Sequence, residues 1–559
     1  MIENICIVED KEDFNLIFNK FNKNNCIYVP VDIETFLLCK NNNLNIFDYN
    51  KNLSNQFHRT ALIETERFKK NLKFKNVSYS LKSEIIGYLR FRLHSIIFII
   101  EIIEKIFKDY KIKKIIVSGL KKENHFLHKA KLCSEIITEL FPNLVFLVKK
   151  EIIFNDNQNI YSYKNITTIK NLEKNILMSN GGYNFRKIST ELRKSGYTTF
   201  LPLFDKISLF KKISYFIKGF KLIYFKKDNN KFVEKENFIE KISFVYKFKY
   251  DVSSLLNVFN TKLDFYFNDL NQKIKALKKF INENNFIFLI SNIARGLHGS
   301  ILDKDLKNPS MCIPHGVISK SFNEYDVIYK KIIAEAVFNG ESKYFALQSK
   351  IIQKSLETHK IQGKAIITGN LIFSQSKKNY KNKKKYVLFA TTLKGFTNLQ
   401  YLGVDMFYEY WKILEELNAL SKTIDEKIVV KVHPQFKSCK NNLSIYFKSL
   451  SFSDDKIVTL LKDSLLLITL SSGTIEDSLN SKVPVILYDL KNRYKQMECE
   501  KTDKDSNVVY YIDDKNKIEY VITKIKNSKK LDFEDYIYNG NIKENINNKF
   551  LPIISKYTK

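Results

Sequence analysis

The sequence predicts an α/β protein in which two parallel-sheet halves face one another across a cleft, the first half carrying a helical insertion. Three observations predict it. Short, continuous apolar runs alternate with helical patterns, which is how strands covered on both faces of a parallel sheet read. The runs fall into two series separated by a polar lysine-rich stretch, Ser374 to Lys385, with the composition of a solvated linker. Several runs end on turns of Ser, Thr, His, Gly and Asn, at the sheet edge where such folds bind ligands.

In the first series, Ile5 to Val8, Cys26 to Val29, Lys114 to Val117 and Leu144 to Val148 are strand candidates. From about 155 to 280 the pattern loosens into Asn/Lys-rich segments and aromatic helices, and a helical insertion is expected there. Alternation returns with Phe286 to Ile290, Met311 to Pro314, Tyr344 to Leu347 and Ala365 to Ile367. The second series comprises Tyr386 to Ala390, Ile428 to Val432, Leu465 to Thr469 and Val483 to Leu487, with a helix over Val404 to Leu420. Two Rossmann-like domains are therefore expected, 1–375 and 376–559.

Composition bounds the function classes. Hydrophobic residues make up 44% of the 559 and aromatic residues 14%, so a large core is available and intrinsic disorder is excluded. The net charge of +32 accompanies an excess of Lys, Asn, Ile, Phe and Tyr, the residues of A/T-rich codons, so base composition accounts for it without a nucleic-acid partner. Seven scattered cysteines with no CxxC pair read as small buried hydrophobes in a reducing compartment. Nothing at the N-terminus reads as a signal peptide, and the longest apolar stretch, Ser95 to Phe107, is broken by Glu101, Glu104 and Lys105. A cytoplasmic protein is expected. Its inner-membrane contact would come from Lys206 to Lys227, which has seven lysines and no acid, with Leu209, Ile213, Phe216, Phe220 and Ile223 on one helical face. A helix packed on its own domain is the alternative for that segment.

The turns after the strands carry the candidate chemistry. In the second half Thr391, Thr392 and Lys394 follow one strand, Lys431 leads into His433-Pro434, and Ser471-Ser472-Gly473-Thr474 with Glu476 and Asp477 follows a third. Turns at one edge of adjacent strands converge. Hydroxyls and N–H groups opening a helix make a phosphate cradle, and Gly473 lets an oxygen approach the backbone. The same residues also suit an ordinary helix cap. Pro434 stiffens the turn behind His433, whose imidazole can bind a phosphate or assist a leaving group; a plain surface histidine is the alternative. In the first half Arg295-Gly296-Leu297-His298, Pro314-His315-Gly316 and Thr368-Gly369-Asn370 end successive strands.

The ordered set Pro314-His315-Gly316, Thr368-Gly369-Asn370, Lys431-Val432-His433-Pro434 and Ser471-Ser472-Gly473-Thr474 with Val483-Pro484-Val485 resembles the GT-B superfamily over about 285 to 490. It is similar to bacterial capsule and surface-polysaccharide transferases, among them users of CMP-sialic acid or Kdo and CDP-glycerol glycerophosphotransferases. The resemblance implies a glycosyltransferase with a nucleotide-activated sugar donor, a CMP-sugar first, held by 376–559. His433, Ser471 and Ser472 would contact the donor phosphate, and Asp477 or Glu476 the ribose. Thr391, Thr392, Lys394, Lys431, Pro434, Gly473 and Thr474 complete the expected donor set.

A surface-glycan or lipid-linked acceptor is expected against 1–375, beside Arg295, Gly296, Gly316 and Asn370. His298 or His315 is the expected base, with His433 at the leaving group. No metal or other cofactor is expected, because preorganised donors can meet the charge on the leaving phosphate. The acidic pair before a glycine found in sialyltransferases is missing, and Asp32 and Glu34 are alternative carboxylates. The same architecture admits a polyol-phosphate transferase or a nucleotide-sugar 2-epimerase. A basic polyanion- or membrane-binding protein is the non-enzymatic alternative.

Overall fold

The computed structural model describes residues 2–558 apart from 22, 54, 120–131, 150–159, 164–173, 229–237, 240–252, 317, 377–384, 392, 394–405, 500–506 and 529. Its strands form three sheets. β1 (Asn4–Val8), β2 (Cys26–Pro30), β3 (Lys114–Val117) and β4 (Val145–Leu147) make a parallel sheet in the order β2-β1-β3-β4. Ile5, Cys6, Ile7 and Val8 are all buried, as a strand covered on both faces requires.

The second sheet contains β5 (Ile160–Tyr163), β6 (Asn175–Met178), β7 (Thr198–Leu203), β8 (Phe220–Asp228), β9 (Phe288–Ser291), β10 (Ser310–Cys312), β11 (Tyr344–Leu347) and β12 (Lys364–Ile367). Its order is β12-β11-β10-β9-β6-β7-β8-β5, parallel except for the β5–β8 pair. The third contains β13 (Tyr386–Phe389), β14 (Lys427–Lys431), β15 (Ser451–Ser453), β16 (Ser464–Thr469), β17 (Val485–Tyr488) and β18 (Val509–Ile512), all parallel in the order β15-β14-β13-β16-β17-β18. The third sheet carries the second series of strands, whereas the first series, expected in one half, is divided between the first and second sheets. The first four strands form a sheet of their own.

Two further readings of the sequence need correcting. Residues 155–280 do hold helices, Tyr183–Lys194 and Ser253–Glu283 among them, but they also supply β5 to β8, so the segment is part of the sheet. The 206–227 segment is helical only over Leu209–Ile217; Gly219, at φ +88, turns the chain into β8. Phe220 and Ile223, placed by sequence on the helix's apolar face, are buried in the sheet instead.

The first sheet's helices pack on the third sheet's. Tyr49 stacks on Tyr408 at 5.0 Å, Phe36 meets Trp411 edge-on at 5.1 Å, and Asn50 donates to the Tyr408 carbonyl. The long helix Tyr79–Asp109 contains the Ser95 to Phe107 stretch and packs rather than spans: none of the described helices is long and apolar enough to cross a membrane. Its buried Arg90 sits between Glu66 and Glu335, as a buried cation must.

Beyond β18 and the helix Asn516–Asn527, the chain crosses back to the second sheet. There Ile546, Phe550 and Ile554 are buried with Phe288, Ile290 and Met311. Asn545 anchors the crossing by donating to the Asn370 carbonyl at 3.1 Å. The first residues of the expected linker are not solvated: Ser374 and Ser376 donate their amides to Asp477 and Ser481 of the helix Thr474–Asn480 and its end. Residues 377–384 of that linker lie outside the described ones.

Candidate functional site

The turns at Thr391, His433 and Ser471–Thr474 follow strands of the third sheet, all at its carboxyl edge. In register, Phe389 pairs with Val430 on one side and with Ile468 on the other. His433 and Ser471 each lie three residues past those partners, on strands flanking β13. Two strand spacings, about 10 Å, separate the two backbone positions. Thr391, buried, ends the strand between them. Thr392 and Lys394 lie outside the described residues.

Locally, Ser472 accepts the Thr474 amide at 3.3 Å, while the N-cap itself is Gly473, which has no side chain to cap with. The Thr474 hydroxyl is buried and has no hydrogen-bond partner, although a buried hydroxyl ordinarily finds one. His433 caps the short turn Pro434–Cys439, its Nδ1 accepting from the Gln435 amide at 3.3 Å. Lys431 is half-buried; burial pushes its pKa down, against the pull of Asp454 and Asp455.

On the second sheet, chain order runs from β6 outward to β7 and β8 on one side and to β9, β10, β11 and β12 on the other. The switch point is therefore between β6 and β9, where doubly wound sheets open a ligand crevice. A polar cluster stands there. Asn180 donates to the Asn292 side chain at 2.5 Å, and Ser179 donates to Ser291 at 2.9 Å. His298 Nδ1 lies 2.7 Å from the Ser179 carbonyl and His315 Nδ1 lies 3.4 Å from the Asn292 carbonyl.

A carbonyl only accepts, so each Nδ1 carries the hydrogen and leaves Nε2 as the ring's acceptor. Both residues keep an exposed edge, yet the surrounding protein pushes both pKa values below the ordinary 6.5, with the carbonyl bonds partly opposing. Such rings are neutral at pH 7. Dense surroundings with one open edge describe a cleft wall. Gln348 fixes the His315 turn by donating to the Pro314 carbonyl and accepting the Leu371 amide.

The two edges meet. A Cβ added at Gly473 would lie 3.7 Å from the carbonyl oxygen of His315. Ser471 to Thr474 of the third sheet therefore faces the His315 turn of the second, and Gly316 beside it has open space around its α-carbon.

Other expected residues point elsewhere. Arg295 pairs with Glu84 of the helix Tyr79–Asp109 at 3.5 Å, and Gly296, at φ +62, is pressed against the same carboxylate. Asn370 is fully buried and spends its side chain on its own turn, bonding Ile372 and Phe373. Asp32 caps the helix Ile33–Asn41 and Glu34 accepts from Ser438, so neither reaches the cleft.

Glu476 is buried against Ser349, and Asp477 accepts the Ser374 amide at 2.5 Å. Desolvation raises their pKa values to about 8 and about 6; Ser374 and then Lys187 temper the rise at Asp477. The acids thus join the two sheets, where a ribose contact was expected. Asn180, Asn292 and Lys187 were not anticipated. Among the described residues, no group of three His, Cys, Asp or Glu is placed to hold a metal ion.

No protein-family model and no curated relative matches the sequence. Among solved structures the chain is similar to a UDP-GlcNAc 2-epimerase from Methanocaldococcus jannaschii, at 12% identity and a TM-score of 0.39, covering 68% of this chain and 99% of that one. It is also similar to the S. aureus MnaA–UDP structure, at 12% identity and a TM-score of 0.41 over 68% and 97% of the two chains. A third is the wall teichoic acid polymerase TagF with CDPG, at 11% identity and a TM-score of 0.37 over 69% and 89%. At such low scores the likeness carries no functional argument, and the function must be read from this chain's own residues.

Proposed function

We propose that the chain is a transferase whose active site is the cleft between the second and third sheets, moving a sugar or polyol-phosphate unit from a nucleotide-activated donor. One observation carries the reading: the Ser471–Thr474 turn faces the His315 turn within van der Waals reach of Gly473. This sets a helix opening with an unpartnered buried hydroxyl, Thr474, across from the main chain of the His315 turn, and the neutral imidazoles of His298 and His315 belong to the switch-point cluster behind that turn. The helix opening can receive an anion and the imidazoles a proton.

His298, with Nδ1 committed to Ser179, takes the proton of an acceptor hydroxyl at Nε2. The acceptor oxygen bonds the transferred group as that group's bond to the nucleotide phosphate breaks. The electron pair stays on the phosphate, where the Thr474 hydroxyl, the neighbouring N–H groups and His433 stabilise it. Asn180 and Asn292 orient the acceptor hydroxyls. The acceptor is a surface glycan or a lipid-linked glycan, and a CMP-sugar is the first donor to try.

A thermal-shift comparison of CMP, CDP, UDP and GDP tests the donor half. At least one should raise the Tm of the native chain, and the Ser472→Ala/Thr474→Val variant should lose that rise. If no nucleotide shifts the Tm, or the variant responds like the parent, the site assignment fails. Incubating a nucleotide-sugar without acceptor separates the rival chemistry: interconversion of the sugar at C2 would make the cleft an epimerase site.

A further inference from the structure

We infer that the helix Leu209–Ile217 is a docking element for an anionic lipid bilayer. Tyr215 is the one residue of this helix that is buried. Leu209, Phe210, Ile213, Phe216 and Ile217 are exposed, Phe210 at 86% and Phe216 at 75%. Scattered apolar side chains on a surface need no explanation, but five on one nine-residue helix form a contiguous patch with a use.

Beside it, between helix and sheet, an open groove of about 500 Å³ is lined by Ile213, Phe216, Phe220 and Leu222 and edged by Lys212 and Lys221. Lys206, Lys211 and Lys218 of the same segment are also exposed, and no acid occurs from Lys206 to Lys227. Aromatic and aliphatic side chains flanked by lysines match a bilayer boundary, where the rings enter the acyl edge and the ammonium groups meet anionic headgroups. A second copy of this chain is a poor occupant, because two such faces would bring their lysines together.

The helix is tied to the candidate site. The ring of Tyr215 lies against Gly181, where an added Cβ would come to 2.5 Å from it, and the Arg186 guanidinium lies over the ring at 5.2 Å. Gly181 follows Asn180 of the switch-point cluster, so a docked helix sets that cluster beside the membrane surface. Lipid docking rests on the patch alone and is measured without turnover, so it stands or falls separately from the proposed transfer.

The test uses the full chain with sedimenting vesicles of phosphatidylcholine, with or without about a third phosphatidylglycerol. Binding is expected only to the anionic vesicles. Phe210→Ser/Phe216→Ser and Lys206→Ser/Lys218→Ser should each weaken it about tenfold or more, with Tm unchanged because all four side chains are exposed. Phe210→Trp should be quenched by brominated acyl chains beyond the background from Trp411. Vesicle binding by the Phe variant equal to the parent's would place the contact in charge elsewhere and overturn the inference. So would self-association that the Phe variant abolishes with no vesicle binding, or the absence of extra quenching.

Discussion

The amide of Ser374 donates to the carboxylate of Asp477 over 2.5 Å, joining residues 103 positions apart. Ser374 follows the last strand of the second sheet and Asp477 belongs to the helix after β16 of the third, so this bond ties the two sheets together. Lys187 sits beside it, donating to the Ile372 carbonyl and the Ser374 hydroxyl. With Glu476 against Ser349, the helix Thr474–Asn480 is fixed from below while its opening faces His315.

These buried acids make stability depend on pH. Burial raises the Glu476 pKa from the ordinary 4.5 to about 8, and neighbouring Asp477 pushes the same way. A carboxyl that holds its proton more tightly when folded contributes fully below its unfolded pKa and loses that contribution as pH rises towards the folded value. Stability should therefore fall between about pH 5 and pH 8, by up to a few kcal/mol, since each tenfold difference in proton affinity is worth about 1.4 kcal/mol. Glu476→Gln should flatten the fall. Urea midpoints of the variant that track the parent's at every pH would refute the assignment.

The crossing at Gly369 is open to a direct test. Its φ of +66 is costly for any residue with a Cβ, and an added Cβ would meet the Asn545 side chain at 2.7 Å. Gly369→Ala should cost about 2 to 4 kcal/mol. Asn545→Ala in the same chain should recover the steric share and leave the backbone share. Calorimetry giving simply additive losses for the pair would sink the account.

Kinetics can divide the histidines. If His298 is the base, His298→Gln lowers kcat about 10² to 10⁴-fold and leaves the nucleotide Kd near the parent's. His433→Ala weakens nucleotide binding instead. Titration calorimetry beside steady-state rates reads both, and a reversed pattern would exchange the roles.

Gly473 has room for a small side chain only. Gly473→Ala should be tolerated, since its Cβ meets the His315 carbonyl at an ordinary 3.7 Å. Gly473→Val, with two methyls beyond that point, should narrow the cleft and weaken nucleotide binding about tenfold, with little change in Tm. Equal nucleotide affinity in both variants would separate Gly473 from the site.

What the sequence revealed follows from how local its signals are. The core strands of the third sheet read almost to the residue, because runs such as Leu465 to Thr469 are apolar on both faces and bounded by turn residues. The His315 and Ser471–Thr474 turns were legible for the same reason, since strand ends mark themselves. Arg295 was misleading: nothing near it in sequence says that Glu84, on the helix Tyr79–Asp109, will neutralise it. Asn180 was missed because β6 is four residues long within an Asn/Lys-rich region, and its side-chain partner Asn292 lies 112 positions away. The acids 476 and 477 were placed on the correct helix but assigned to the wrong face, which only the packing of Ser349 and Ser374 decides.

The return of the C-terminal segment to the second sheet has a mechanical consequence. The backbone passes between the second and third sheets twice, once after Phe373 and again before Ile542, so the two lobes are laced together at two points rather than strung on one. A fragment cut after β18 would leave the apolar seat of Phe550 and Ile554 bare to water.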